Sequence, residues 1–124
     1  MGGDNCIFCK IIEGKIPSRK VYEDEEMLAF HDINPAAPIH FLVIPKKHLP
    51  MLCDASSEDT QLLGKIMLKI PELAIQEGAN PGQTGGFKIL MNNGAEGGQE
   101  VYHMHLHVLA GKRLGNQQLP GGTK

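Results

Sequence analysis

Three histidines at alternate positions, His103, His105 and His107, stand in the segment Val101-Tyr102-His103-Met104-His105-Leu106-His107-Val108-Leu109. In an extended strand alternate side chains point to one face, so this spacing aligns three imidazoles while Met104, Leu106 and Val108 turn to a core. At a rise of roughly 3.3 Å per residue, neighbours in the row lie about 6.6 Å apart and the outer pair about 13 Å apart. A solvated row of surface histidines is one reading. A metal bridging two of the three is another, since zinc bonds of about 2.0–2.1 Å do not span all three on a flat strand. Nucleophilic catalysis at phosphorus is the reading that uses the whole row. Imidazole titrates near pH 6.5, so a neutral nucleophile and protonated neighbours coexist at neutral pH. The neighbours then meet phosphate oxygens and the leaving group. The segment Asn92-Asn93-Gly94-Ala95-Glu96-Gly97-Gly98-Gln99 precedes the row. Its side-chain-free backbone is expected to expose amide N–H groups that cradle a phosphate.

A second group of reactive residues lies near the start, where Cys6-Ile7-Phe8-Cys9 places two thiols three residues apart, on one face of a short helix. With a third cysteine at Cys53 the count is odd, and the start shows no basic region followed by an apolar stretch. A disulfide framework is therefore not expected, and the pair reads as a metal or redox pair in a reducing, cytoplasmic setting. Asp32 before Asn34-Pro35 suits either a turn or the two-oxygen acceptor of a vicinal diol.

These residues need elements to hold them. Apolar residues at 7, 8, 11 and 12 predict a short helix from Cys6 to Glu13, stopped by Gly14. Val21-Tyr22, Met27 to Phe30 and His40 to Ile44 read as strands, the last a continuous apolar run closed by Pro45. Ser56 and Ser57 before Glu58 and Asp59 mark a helix start. The spacing of Leu62, Leu63, Ile66, Met67, Ile70, Leu73 and Ala74 carries that helix from Ser57 to Glu77, with Pro71 expected to kink or divide it. Gly86 to Met91 and Val101 to Ala110 complete the strands. The order is short helix, three strands, long helix, two strands, and short connections favour antiparallel pairing, so the class is α+β.

The chain has 124 residues, 41% hydrophobic and 21% charged, and a net charge of -2. That is one ordinary globular domain without the basic surplus of a nucleic-acid binder. The longest tight apolar block, Phe41 to Ile44, is far short of the roughly 20 residues that cross a membrane. The Met-Gly start has Cys6 where a myristoylation site needs Ser or Thr.

His103-Met104-His105-Leu106-His107-Val108-Leu109 resembles the signature of the histidine triad (HIT) superfamily. Phe30-His31-Asp32-Ile33, His40 to His48 and Gly97-Gly98-Gln99-Glu100-Val101-Tyr102 resemble its nucleotide-binding branch. The likeness runs from Cys6 to Gly111, which divides the chain into a HIT domain at 1–111 and a tail at 112–124. It implies a five-stranded antiparallel sheet with one short and one long helix, and a homodimer with one continuous sheet. It implies hydrolysis of purine nucleoside phosphoramidates through a covalent nucleotidyl-histidine. His105 would be the nucleophile, His107 and His40 would contact phosphate, and His103 would organise the row. Dinucleoside polyphosphate hydrolysis, or nucleotide binding with incidental catalysis, are the alternatives within the same likeness. It further assigns Asp32 to the ribose hydroxyls of AMP or GMP. Ile7, Phe8, Ile11, Ile16 and Ile33 would line the base slot, and Asn92, Gly98, Gln99, Glu100 and Val101 the phosphate and leaving group. Some bacterial relatives hold a structural zinc with the counterparts of Cys6, Cys9, His48 and His103. Glu100 stands where many relatives carry a small hydroxyl residue, and a carboxylate repels phosphate unless it turns away or is protonated. The tail lacks the Trp of some relatives, whose tail approaches the partner's site.

Overall fold

The computed structural model describes residues 5–82 and 84–115; the expectations for the tail beyond 115 lie outside the described residues. Five strands form one antiparallel sheet: β1 (Lys20–Glu23), β2 (Met27–His31), β3 (Ile39–Pro45), β4 (Phe87–Leu90) and β5 (Leu106–Ala110), in the order β1-β2-β3-β5-β4. Helix α1 (Ile7–Ile12) precedes β1, and helix α2 (Thr60–Gln76) joins β3 to β4 after two short 3-10 turns. The expected order and class are those observed.

The central strands are buried on both faces, and side-chain parity divides the core in two. Met27, Ala29, Phe41, Val43, Leu106, Val108 and Ala110 face α2, which contributes Ile66, Ile70, Leu73 and Ala74. Their spacing of four, three and one places all four on one stripe of the helix. Leu28, Phe30, Leu42 and Ile44 face the other way, against Phe8, Cys9 and Ile11 of α1. This double burial is why β3 reads as an unbroken apolar run rather than an alternating one. Each fully buried side chain of this kind contributes about 1.5–3 kcal/mol by leaving water.

Helix α1 starts where Cys6 accepts the Cys9 N–H on its Sγ at 3.2 Å, and it stops at Gly14, whose φ of +83° suits a residue without a Cβ. Helix α2 is entered through a capping box in which Ser56 accepts from Glu58 N–H and Asp59 accepts from Ser56 N–H. Of the two outcomes expected for Pro71, division does not occur: it lies inside a continuous α2. The helix keeps its apolar stripe on the sheet, and that packing outweighs the one hydrogen bond Pro71 cannot donate. The last strand begins at Leu106, not at Val101: residues 101–103 bend and 104–105 are irregular. On one side β4 ends at Leu90, opposite His107; on the other β3 runs on to Pro45 but pairs there only with β2, while the Met104 amide turns to Leu49 O, so β5 pairing stops at Leu106.

Candidate active site and metal centre

The alternation survives the loss of the ladder. Met104, Leu106 and Val108 are buried under α2, while the three histidines turn to the α1 side. Two backbone groups hold the irregular stretch. Met104 N–H donates to Leu49 O at 2.7 Å, and His103, fully buried, has Nε2 at 2.7 Å from Pro45 O. His105 Nδ1 lies 2.8 Å from His103 O. A carbonyl only accepts, so both rings place their proton there: His103 on Nε2, His105 on Nδ1. The lone pair of His105 is thereby on Nε2. Phe8 meets the His105 ring edge to face at 5.1 Å and fixes its plane.

His40 and His107 form the neighbouring unit. In the β3–β5 register His40 pairs with Leu109 and Leu42 with His107, which makes the two histidines diagonal neighbours on one face. Ala36 N–H donates to His40 Nδ1 at 3.0 Å, so His40 carries its proton on Nε2. That nitrogen lies 3.0 Å from His107 Nδ1 and 3.5 Å from Asp32 Oδ2. The chain of donors leaves His107 with its own N–H on Nε2. The His105 and His107 rings stand 5.1 Å apart.

Burial holds the His107 imidazole down at about 4, with His105 and His40 adding to the effect, and burial also lowers His40 against the opposing pull of Asp32. The expectation of protonated neighbours at neutral pH is therefore corrected. In the free protein they act as neutral N–H donors, because a charge in this partly dry setting costs more than Asp32 returns.

In the glycine-rich loop expected to expose amides, four of them are taken by the loop itself: Gly97, Gly98 and Gln99 N–H donate to Gly94 and Ala95 carbonyls, and Gly94 N–H donates to Gln99 Oε1. Gln99 is buried and its Nε2 donates to Pro50 O and Val101 O. Asn92 Nδ2 donates to Gly97 O. Gly98 adopts φ +83°, exposed at the crest of this loop. Glu100 is exposed, and Val101 packs on the α1 side of the core. Of the expected base slot, Phe8 and Ile11 are core residues and Ile16 packs against them, whereas Ile7 and Ile33 are exposed, Ile33 by 89%. Asp32 Oδ1 is taken by Asn34 N–H, leaving Oδ2 toward His40.

A separate cluster lies behind the row. Cys6 Sγ and His103 Nδ1 are 3.3 Å apart, Cys9 Sγ and His48 Nδ1 3.3 Å, Cys9 Sγ and His103 Nδ1 3.6 Å, and the two Nδ1 atoms 3.2 Å. Tetrahedral zinc with thiolate and imidazole bonds of about 2.3 and 2.0 Å separates its donors by about 3.3–3.8 Å, so the four atoms fit. The chemistry fits as well. His103 turns its lone pair inward, and burial keeps it neutral by lowering it to about 4. Burial and the neighbouring Cys6 push the Cys9 thiol up to about 12, and a dication is the partner that ionises such a thiol. The four residues that the resemblance grouped, Cys6, Cys9, His48 and His103, are brought together, and His103 sits in this cluster as well as at the head of the row. The Pro45 and Leu49 carbonyls and the Ala36 amide, which set the tautomers and the backbone path, carry no side-chain signal that sequence reading could find.

A HIT domain family model matches residues 13–114. The protein HitA of Neisseria gonorrhoeae is 56% identical over 106 residues, covering 86% of this chain and 95% of that protein. Among solved structures, a histidine triad protein from Clostridium difficile superposes with a TM-score of 0.85 at 47% identity, covering 94% of this chain and 98% of its own. A structure described as a HIT family hydrolase from Legionella pneumophila gives 0.84 at 45%, covering 90% and 96%. With the family model spanning most of the chain and relatives matched along nearly their full length, this chain belongs to the HIT domain family.

Proposed function

We propose that this protein is a hydrolase of purine nucleoside phosphoramidates and related adenylates, working through a nucleotidyl group carried on His105. The observation that carries the reading is the 2.8 Å bond from His105 Nδ1 to His103 O, which leaves the Nε2 lone pair free for attack. That structural relatives are described as HIT family hydrolases supports the reaction class. In the first step Nε2 forms a bond to the α-phosphorus as the phosphorus–nitrogen bond of the substrate breaks, and the amine leaves with a proton from solvent. In the second, water adds to phosphorus, the histidine–phosphorus bond breaks and the nucleotide departs, returning a proton to solvent. His107 Nε2–H, aligned by His40, donates to a non-bridging oxygen in both steps and stabilises the charge that develops there. Asp32 Oδ2 accepts from the ribose of AMP or GMP, with Ile7, Ile33 and Phe8 toward the base. Asn92, Gly98, Gln99 and Val101 shape the loop beside the phosphate, and Glu100 stands at its exposed end, toward the leaving group.

Cys6, Cys9, His48 and His103 would hold one zinc, which supplies rigidity and no chemistry at phosphorus. A thiol-rich cluster of this kind suits a reducing compartment, and we place the protein in the cytoplasm. We further infer a homodimer whose sheet continues across β4, since β1 is irregular between Lys20 and Tyr22 and β4 keeps a regular register.

Mass spectrometry of a quenched reaction with an adenosine phosphoramidate tests the proposal. The wild type is expected to show an adenylyl adduct on His105. His105→Ala is expected to lose about a thousandfold or more in turnover, as removal of a covalent nucleophile does. Equal rates in the two proteins would overturn it.

A further inference from the structure

The stretch 101–105 lies outside the β-ladder, yet it carries the ring on which the proposed reaction depends. Its path is fixed at two adjacent residues. Met104 is held by its amide on Leu49 O and by a side chain buried under α2. His103 is held by its ring, pinned between Pro45 O on one side and the Cys6, Cys9 and His48 donors on the other. The carbonyl of that same His103 orients His105. Phe8, two residues after Cys6 and one before Cys9, stacks edgewise on both rings, at 6.0 Å from His103 and 5.1 Å from His105. Two of the three ring contacts of His105, those to His103 O and Phe8, thus run through residues anchored in the cluster, and the third is to the His107 ring at 5.1 Å.

We propose that Cys6, Cys9 and His48 are positioning residues for His105, acting through His103 and Phe8, so that filling of the cluster with zinc governs turnover while leaving nucleotide affinity largely alone. The separation follows from topology. Asp32, His40 and His107 contact one another and the Ala36 amide, and none of those bonds involves Cys6, Cys9, His48 or His103. The turnover half of this inference rests on His105 being the nucleophile; the ordering half does not.

The test compares zinc-loaded, chelator-stripped and zinc-reloaded wild-type protein by amide hydrogen exchange, by calorimetry with AMP and by turnover of an adenosine phosphoramidate. Stripping is expected to speed exchange in the 101–105 peptide and to lower kcat, each by about tenfold or more, as loss of outer-shell support does, with the AMP Kd shifting less than about threefold. Exchange at Asp32, His40 and His107 should change far less than in 101–105, and reloading should restore both quantities. Cys6→Ala should reproduce the stripped state in the presence of zinc. Cys6→Asp, which keeps both a helix cap and a zinc donor, should recover most of the loss. Protein that takes up no zinc overturns the proposal, as does stripped protein whose exchange and kcat match the loaded form. Loss of protection throughout the sheet together with AMP binding also overturns it, because the cluster is then a general brace. If neither form turns over phosphoramidate while 101–105 still loosens on stripping, the positioning stands and the proposed reaction falls.

Discussion

His107 shows how burying an imidazole taxes the fold. Its imidazole titrates near 4 in the folded chain, mainly through burial, against about 6.5 when unfolded. Between these values the unfolded chain binds a proton that the folded chain does not, so stability falls as pH drops from about 6.5 and levels off below 4. The shift corresponds to about 3 kcal/mol at most, less for the part of the ring that water reaches. Urea midpoints measured from pH 7 to pH 4 should therefore fall less steeply in His107→Asn than in the wild type, after the carboxylate contributions common to both are subtracted. Parallel curves would show that burial of this ring has little thermodynamic weight. Asp59 makes the contrary point: a buried charge whose hydrogen bonds stabilise the fold at neutral pH. It is buried, accepts from Lys47 Nζ at 2.6 Å and from Ser56 N–H at 2.9 Å, and is held below the usual carboxylate range by those two bonds.

Among the elements, α2 and the last strand mark what the sequence could and could not disclose. The stripe from Ile66 to Ala74 was legible because a helix that covers a sheet must repeat its apolar residues at helical spacing. The consequence of Pro71 was not, because a proline's cost is local while the packing that opposes it is collective. Pro71→Ala should restore the donor missing toward Met67 and stabilise the protein by about 1–3 kcal/mol, less the entropy regained by the unfolded chain. A thermal melt that moves down, or not at all, would show the helix to be adapted to the ring. The histidine row was legible as alternation, and alternation did predict the two faces. It could not predict that strand pairing stops at Leu106, since the Leu49 carbonyl that takes the Met104 amide is a backbone group without a sequence signal. Likewise the resemblance assigns Asn92 and Gln99 to ligand contacts, and here Asn92 bonds within its loop while Gln99 bonds both its loop and Pro50 O.

For the molecule as a whole, the sheet leaves β1 and β4 at its margins. Exposed Ile89 on β4 and Leu68 and Ile75, one heptad apart on α2, are apolar surface that a second copy would cover. Light scattering should return about twice the 13.5 kDa chain mass. Ile89→Lys, which places a charge on an open strand edge, should shift the population toward monomer. A wild-type mass of one chain would remove the dimer from the proposal. Among the described residues no helix is long and apolar enough to cross a membrane.

The parity of side chains along β3 has one more consequence. Phe41 and Val43 belong to the α2 side, Leu42 and Ile44 to the α1 side with the histidines. Neighbouring codons thus answer to different demands: damage at an odd position there is expected to weaken the packing on α2, while damage at an even one is expected to disturb the face that carries the histidines. A scan along those four residues would sort into two alternating phenotypes, heat sensitivity and sluggishness, within a span of a dozen or so ångströms.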